Sequence, residues 1–447
     1  MRSSSLHAIG PMLKPLAVAV ALLAAASLQA QHADSLALVR RATQISAMLG
    51  GTSVRHDTIF TPAILAQLPA RQLDAIVAQF GAMGRIEKIV MSARPARAGA
   101  PLSSALFQLS TDKGNVIPMT VAVEDTAPNL VNGLFFGAPT RPGGTLDDAL
   151  RELRALPGHA SLFVARLDGS RMIPIAAEDT SRALGIGSAF KLYVLAALVR
   201  DVERGRRHWS DVVLLDSLSK SLPSGILQAW PAGTPITLQT LATLMISISD
   251  NTAADHLLHI VGRENVEAVQ TVAGNTHASL NQPFLSTREM FVLKTADHAV
   301  LLDRYSRGST DARRAILRDS AVTSRQQQGP DFSKGPVAIE NVEWFASTTD
   351  LARVMVWIRD HSTSGATTHA REVLAVNHGI EWPSASWRYV AFKGGSEPGV
   401  INLTFLAQRA DGQWMVFVAS WNNPQKAVDE LAFVGLVTRI RDLTAAR

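Results

Sequence analysis

Three short clusters in this sequence carry residue types suited to making and breaking an acyl bond. In the first, Gly185-Ile186-Gly187-Ser188-Ala189-Phe190-Lys191 runs into Leu192-Tyr193-Val194-Leu195-Ala196-Ala197-Leu198-Val199. The second stretch is apolar all round, which predicts a buried helix with Ser188 in its first turn. Lys191 follows three residues later on the same face, so its amine can reach the Ser188 hydroxyl. A lysine partly buried near other cations is weakened enough as an acid–base group to take that proton. The unpaired N–H of Ser188 at the helix start is a donor for an oxyanion. The second cluster is Ser249-Asp250-Asn251, on a turn between two amphipathic helices. Its hydroxyl can pass a proton to a leaving group, and the Asn251 amide can hold a substrate amide by donor and acceptor together. The third is Phe392-Lys393-Gly394-Gly395-Ser396 at the end of a strand. Lys393 supplies charge, Gly395 allows close backbone approach, and Ser396 supplies a hydroxyl and a second oxyanion N–H. Each cluster alone has a plain structural reading: a Ser and a Lys on a helix surface, a helix cap at Asp250, Asn251 and Thr252, and a strand running into a turn.

The elements that must position these groups follow from the periodicity. Two strand patterns at Ser161–Arg166 and Arg171–Ala176, a long helical middle, and three late strands at Trp387–Lys393, Val400–Ala407 and Gln413–Ser420 predict one sheet closed from both ends of a domain. A helical lobe is inserted in it, and helices near Leu146–Ala155 and Gln425–Leu443 flank it. The site is expected in the cleft between sheet edge and lobe. Ahead of this lies a smaller segment. Leu36, Leu38, Val39, Ile45 and Met48, a loosely amphipathic stripe between Ser35 and Met48, and a helical stretch from Pro62 to Phe80 broken by Pro69 precede strands at Arg85–Ala93, Ala105–Ser110 and Val116–Glu124. Two helices on a curved antiparallel sheet are the expectation. Ala138-Pro139-Thr140-Arg141-Pro142-Gly143-Gly144 is the linker, so the domains are read as 31–140 and 145–447.

Composition narrows the chemistry further. The chain has 447 residues and is 47% hydrophobic and 18% charged, which sets it apart from disordered chains. It has no cysteine, so thiolate catalysis and Cys-ligated metal are excluded. The formal charge of +5 is spread without a basic block, arguing against a nucleic-acid partner. Arg2, Lys14 and the apolar run Leu16–Ala26 lead to Ser27-Leu28-Gln29-Ala30, the layout of a secretory signal over residues 1–30. A periplasmic or secreted protein is expected, with no integral membrane span once the signal is removed. His256 and His259 lack a metal-site framework and read as helix histidines, so neither metal nor cofactor is expected.

Taken in order, SxxK opening a buried helix, then SDN, then Lys-Gly-Gly on a late strand, the clusters resemble the motif set of class A β-lactamases and penicillin-binding proteins. The resemblance covers residues 145–447. It implies an α+β protein whose C-terminal domain has a β-lactamase/transpeptidase-like fold, an antiparallel five-stranded sheet plus helical lobe. It also implies Ser188 as acylated nucleophile, Lys191 as base or relay, Ser249 as proton shuttle, Asn251 and Lys393 as substrate-positioning groups, and the Ser188 and Ser396 amides as oxyanion hole. With its N-terminal α+β domain, the chain resembles the two-domain β-lactamase-like proteins encoded in clavulanic acid biosynthesis clusters. There the first domain is cystatin- or steroid-isomerase-like (NTF2-like), which implies esterase-type acyl transfer.

The sequence departs from the family pattern in three places. Gly394 stands where a hydroxyl usually grips the substrate carboxylate, with Ser396 as candidate replacement. No Glu-x-x-Leu-Asn of an omega loop is found; Glu289 is the nearest carboxylate at a suitable distance, and its helix-start context also fits a cap or ion pair. The stretch from Ser249 to Lys393 is longer than the family's, which places an insertion around 275–347. The expected function is an exported serine hydrolase acting on a small ester or β-lactam-like substrate. A true class A-type β-lactamase, a DD-peptidase, and a non-catalytic protein that binds lactams or cell-wall fragments are the alternatives.

Overall fold

The computed structural model describes residues 36–68, 70–93, 103–137, 139–323 and 330–445. The expected signal segment 1–30 and the glutamine patch at Arg325–Gly329 lie outside the described residues. The chain divides into two units, Met1–Gly143 and Gly144–Arg447.

In the first unit, strands Ile86–Ala93, Ser104–Thr111, Val116–Val123 and Val131–Phe136 form an antiparallel sheet in sequential order. Alternate residues Ala105, Phe107 and Leu109, with Ile117, Met119, Val121 and Val123, face the core, as a period of two requires. The fourth strand has no counterpart in the sequence expectations, because Asn132 and Gly133 interrupt its apolar pattern. The first helix, 36–49, also corrects the expected stripe. Leu38, Ala42, Ile45, Met48 and Leu49 are buried, whereas Leu36 and Val39 are exposed. The helical stretch that follows divides into Pro62–Gln67 and Ala70–Ala82, and Thr61 caps the former through Ile64 N–H.

The second unit is built on a five-stranded antiparallel sheet ordered Trp387–Glu397, Val400–Arg409, Trp414–Asn422, His159–Asp168, Arg171–Glu178. Both faces are covered, so the central strands are buried almost without interruption. Helices Leu146–Arg154 and Glu430–Thr444 pack on one face with Leu403, Phe405, Phe417 and Trp421. The helical lobe covers the other, centred on helix Lys191–Glu203, in which every residue from Lys191 to Val199 is fully buried. This is a mixed α+β protein whose second unit has the β-lactamase/transpeptidase-like architecture. The 275–347 segment contributes helices Thr287–Leu293, Ala299–Arg307, Thr310–Ile316 and Ser320–Thr323 to the lobe. Among the described residues no helix is long and apolar enough to cross a membrane.

Candidate active site

The Ser188 turn is held from behind before it meets any substrate. Leu184–Gly185 pairs antiparallel with Phe345–Ala346, and the Asn422 side chain bonds both Gly185 N–H (2.7 Å) and Gly185 C=O (2.9 Å). Gly187 takes a left-handed φ of +49°, and a β-carbon there would stand 3.0 Å from Ser396 N. Ser188 lies on a 3-10 turn, Gly187–Phe190, that leads into helix Lys191–Glu203. This refines the expected α-helical first turn. A 3-10 turn has three residues per turn, so positions i and i+3 eclipse. Lys191 Nζ accordingly lies 3.1 Å from Ser188 Oγ.

The Ser249 turn closes the other side. Ser249 has φ +58°, an unusual backbone for a residue with a side chain. Its carbonyl accepts from Lys191 Nζ (2.7 Å) and from Ser224 Oγ (2.7 Å), which fixes it there. Asp250 caps helix Asn251–Val261 through Ala253 N–H (2.9 Å), so the capping reading holds for this residue. Its second oxygen accepts from Ile226 and Leu227 N–H, tying down the preceding loop. Asn251 accepts from Lys191 (2.7 Å) and donates to Leu222 C=O (2.8 Å). It is thus a clamp on the lysine.

Strand parity decides the third cluster. The strand runs unbroken through Glu397, beyond its expected end at Lys393. Lys393 reaches Ser249 Oγ (3.1 Å), so its amine joins the cluster of Ser188, Lys191 and Ser249. Gly395 lies on the same face, packed against Ile186 C=O and the backbone nitrogens of Ser188 and Ala189, where any β-carbon would collide. Ser396 is therefore turned away from Lys393 and Gly395, with its hydroxyl towards the Glu430 carboxylate. That parity puts Ser396 on the same face as Gly394, where the missing hydroxyl would stand, as the expected replacement requires.

Five side chains thus meet: Ser188, Lys191, Ser249, Asn251 and Lys393. Lys191 is fully buried, and desolvation first, then the charge of Lys393, holds its amine well below the usual lysine range, partly opposed by Asp255 and Asp250. Burial brings Lys393 down to about 7. Donor counting agrees with a neutral Lys191. Ser249 C=O and Asn251 Oδ1 accept only, and they take the two N–H groups of a neutral amine. Its lone pair is then free to receive a proton from Ser188 Oγ or Ser249 Oγ, at 3.1 and 3.0 Å. Ser188 and Ser249 are half-buried, open enough to meet a ligand.

Glu289 stands apart, which corrects its candidacy as a water-activating base. Its oxygens bond Arg263 (2.7 and 3.0 Å) and Ser286 N–H (2.8 Å) in a capping box and ion pair. His256 Nδ1–H donates to Thr252 C=O (2.7 Å) and Nε2 accepts from Asp216 N–H (2.8 Å), a structural tie. Trp344 stacks on Phe190 at 3.8 Å under the nucleophile turn, so it packs the core. The sequence reading missed Ser224 and Leu222; the only signal for them was the Pro223-Ser224-Gly225 turn chemistry.

Residues 145–354 match the model of the β-lactamase enzyme family. Among solved structures, the chain is similar to a β-lactamase from Sphaerobacter thermophilus DSM 20745, at 19% identity over 67% of this chain and 97% of that one, TM-score 0.47. A β-lactamase from Francisella tularensis is 14% identical over 68% and 100%, TM-score 0.47. PBP-A, as an acyl-enzyme complex with penicillin G, is 15% identical over 66% and 93%, TM-score 0.44. No curated protein matches the chain.

Proposed function

We propose that the second unit is a serine hydrolase that acts through an acyl-enzyme at Ser188 on a small ester or β-lactam-like substrate. The observation that carries this reading is the buried Lys191 amine, 3.1 Å from Ser188 Oγ, with both of its N–H groups taken by obligate acceptors. The substrate carbonyl enters beside Ser188 with its oxygen towards the N–H groups of Ser188 and Ser396. Ser188 Oγ attacks the carbonyl carbon and its proton passes to Lys191 Nζ. Lys191 returns the proton through Ser249 Oγ, which Lys393 polarises from 3.1 Å, to the departing oxygen or nitrogen. The acyl–Ser188 ester forms as the bond to the leaving group breaks, and water later releases the acid.

The leader-like residues 1–30 support export to the periplasm or beyond. The order of an α+β unit before a Lys-Gly-Gly-bearing hydrolase supports kinship with the two-domain proteins of clavulanic acid clusters, and so esterase-type transfer. The commitment of Glu289 to Arg263 and Ser286 favours a second reading for lactams, in which acylation is followed by slow release.

Incubating the mature protein and its Ser188→Ala variant with a cephalosporin bearing an acetyl ester, followed by mass spectrometry, tests both. Ser188-dependent loss of acetate with an intact ring supports the esterase. Ring opening makes the protein a lactamase, and a stable adduct makes it a lactam-binding acyl-enzyme. The absence of both product and adduct overturns the proposal.

A further inference from the structure

Behind the nucleophile turn, three charged side chains that the mechanism does not use lie together in the core. Lys294, which ends helix Thr287–Leu293, forms an ion pair with Glu397 and lies 3.7 Å from Glu343 Oε1. The side chains of Lys294 and Glu343 are fully buried and that of Glu397 nearly so. Glu343 Oε2 accepts from Gly187 N–H (3.2 Å) and from Trp344 N–H (2.9 Å). Glu397 follows Ser396 directly on the edge strand, and Gly187 precedes Ser188. The cluster therefore grips both backbone segments that carry the two oxyanion donors, one residue away from each.

We infer that Lys294, through Glu343 and Glu397, is a positioning residue that sets the spacing of the Ser188 and Ser396 N–H groups around the oxyanion. The inference rests on the hydrolase reading above. Stability alone explains such a cluster poorly, because buried charges give up their hydration and apolar residues of the same size hold a core as well or better. Geometry explains it better. Glu343 Oε1 and Glu397 Oε2 have no hydrogen-bond donor among the described residues, and both carboxyls stand against the one Lys294 amine. Burial first, then the neighbouring Glu397 charge, pushes the Glu343 carboxyl up to about 8, partly opposed by Lys294. Lys294 and Glu343 both belong to the 275–347 segment, so this segment acts on the site from behind the turn.

The test compares acylation by p-nitrophenyl acetate and by its thiono counterpart, whose sulfur fits an oxyanion hole poorly. The proteins are the full-length chain, Lys294→Met/Glu397→Gln, which removes the charges as a pair, and Glu343→Ala, which frees the Gly187 N–H. Each variant is first shown to melt cooperatively. The expected result is a roughly ten- to hundred-fold loss on the oxo ester with little change on the thiono ester, so that the oxo-to-thiono ratio collapses. A ratio within about twofold of the parent protein in either folded variant overturns the inference while leaving the hydrolase intact. A parent protein with no Ser188-dependent acylation overturns the hydrolase reading, and the inference with it.

Discussion

Lys191 and Lys294 are both buried amines, one bonded to Ser188 and one linked to the same turn through Glu343, and they differ in what surrounds them. Lys191 is met by two hydroxyls, a carbonyl and an amide oxygen, all neutral. Lys294 is met by two carboxyls. Burial among neutral acceptors disfavours the ammonium form, and a nearby cation disfavours it further, so Lys191 is suited to accept a proton. Burial against carboxyls gives an ion pair that binds structural elements together. One residue type thus supplies a base and a brace less than one domain apart, and the difference lies in the partners.

The largest effect expected is at the group both lysines serve. Ser188→Ala removes the nucleophile, and acyl transfer falls by roughly a million-fold with no covalent adduct in intact-mass spectra. Residual acylation at another residue would break the assignment of Lys191 as base. Next in size is Lys191→Arg, which places a permanent cation where a neutral amine is needed. Acylation drops by about a thousand-fold, measured as the burst of p-nitrophenol from an activated ester. A loss under about tenfold would show that proton removal from Ser188 does not run through position 191.

Lys393 sharpens the comparison through pH. Its folded-state pKa of about 7 lies below the ordinary lysine value, so between those values the unfolded chain binds the proton and the folded chain does not. The protein therefore loses stability as pH falls from about 10.5 towards 7, with the full penalty, roughly 3–5 kcal/mol, present below that. Lys393→Met should raise the melting temperature at pH 6 and leave it nearly unchanged near pH 10.5. The same change removes a cation that holds Lys191 down. Lys191 then gains basicity, and the acidic limb of the acylation rate, where the base is protonated, moves to higher pH. A stabilised variant whose limb stays in place would show that the two amines are not coupled.

Much of this was readable from residue patterns because it is local. The five strands of the second unit's sheet announced themselves by alternation or by continuous apolar runs, and Ser188 and Lys191 stand three apart on one chain segment. What escaped depends on contacts distant in sequence. Ser396 faces Glu430 because Gly395, one position earlier, is pressed against the Ser188 turn some two hundred residues upstream, and no strand pattern contains that choice. Lys294 and Glu397 stand 103 residues apart, so no local pattern pairs them. Leu36 and Val39 misled for a simpler reason: on a helix with few large apolar residues, Ala42 completes the buried stripe.

The smallest effect expected is at Glu289, where the comparison has its control. Its carboxylate is mostly buried and paired with Arg263, as Glu397 is with Lys294, but it touches neither the Ser188 turn nor the motif strand. Glu289→Gln keeps the size, weakens the pair and one arm of the capping box, and should cost about 1–3 kcal/mol in thermal or denaturant melts. Both acylation and release of the acyl group should stay within about twofold of the parent protein, because neither Arg263 nor Ser286 bonds a reacting group. The contrast with the Lys294 variants is then one of kind: similar damage to a buried ion pair, with an effect on chemistry only where the pair grips the oxyanion donors. If release instead slows by tenfold or more while acylation is unchanged, Glu289 leaves Arg263 during turnover to activate water, and the insertion must move to let it.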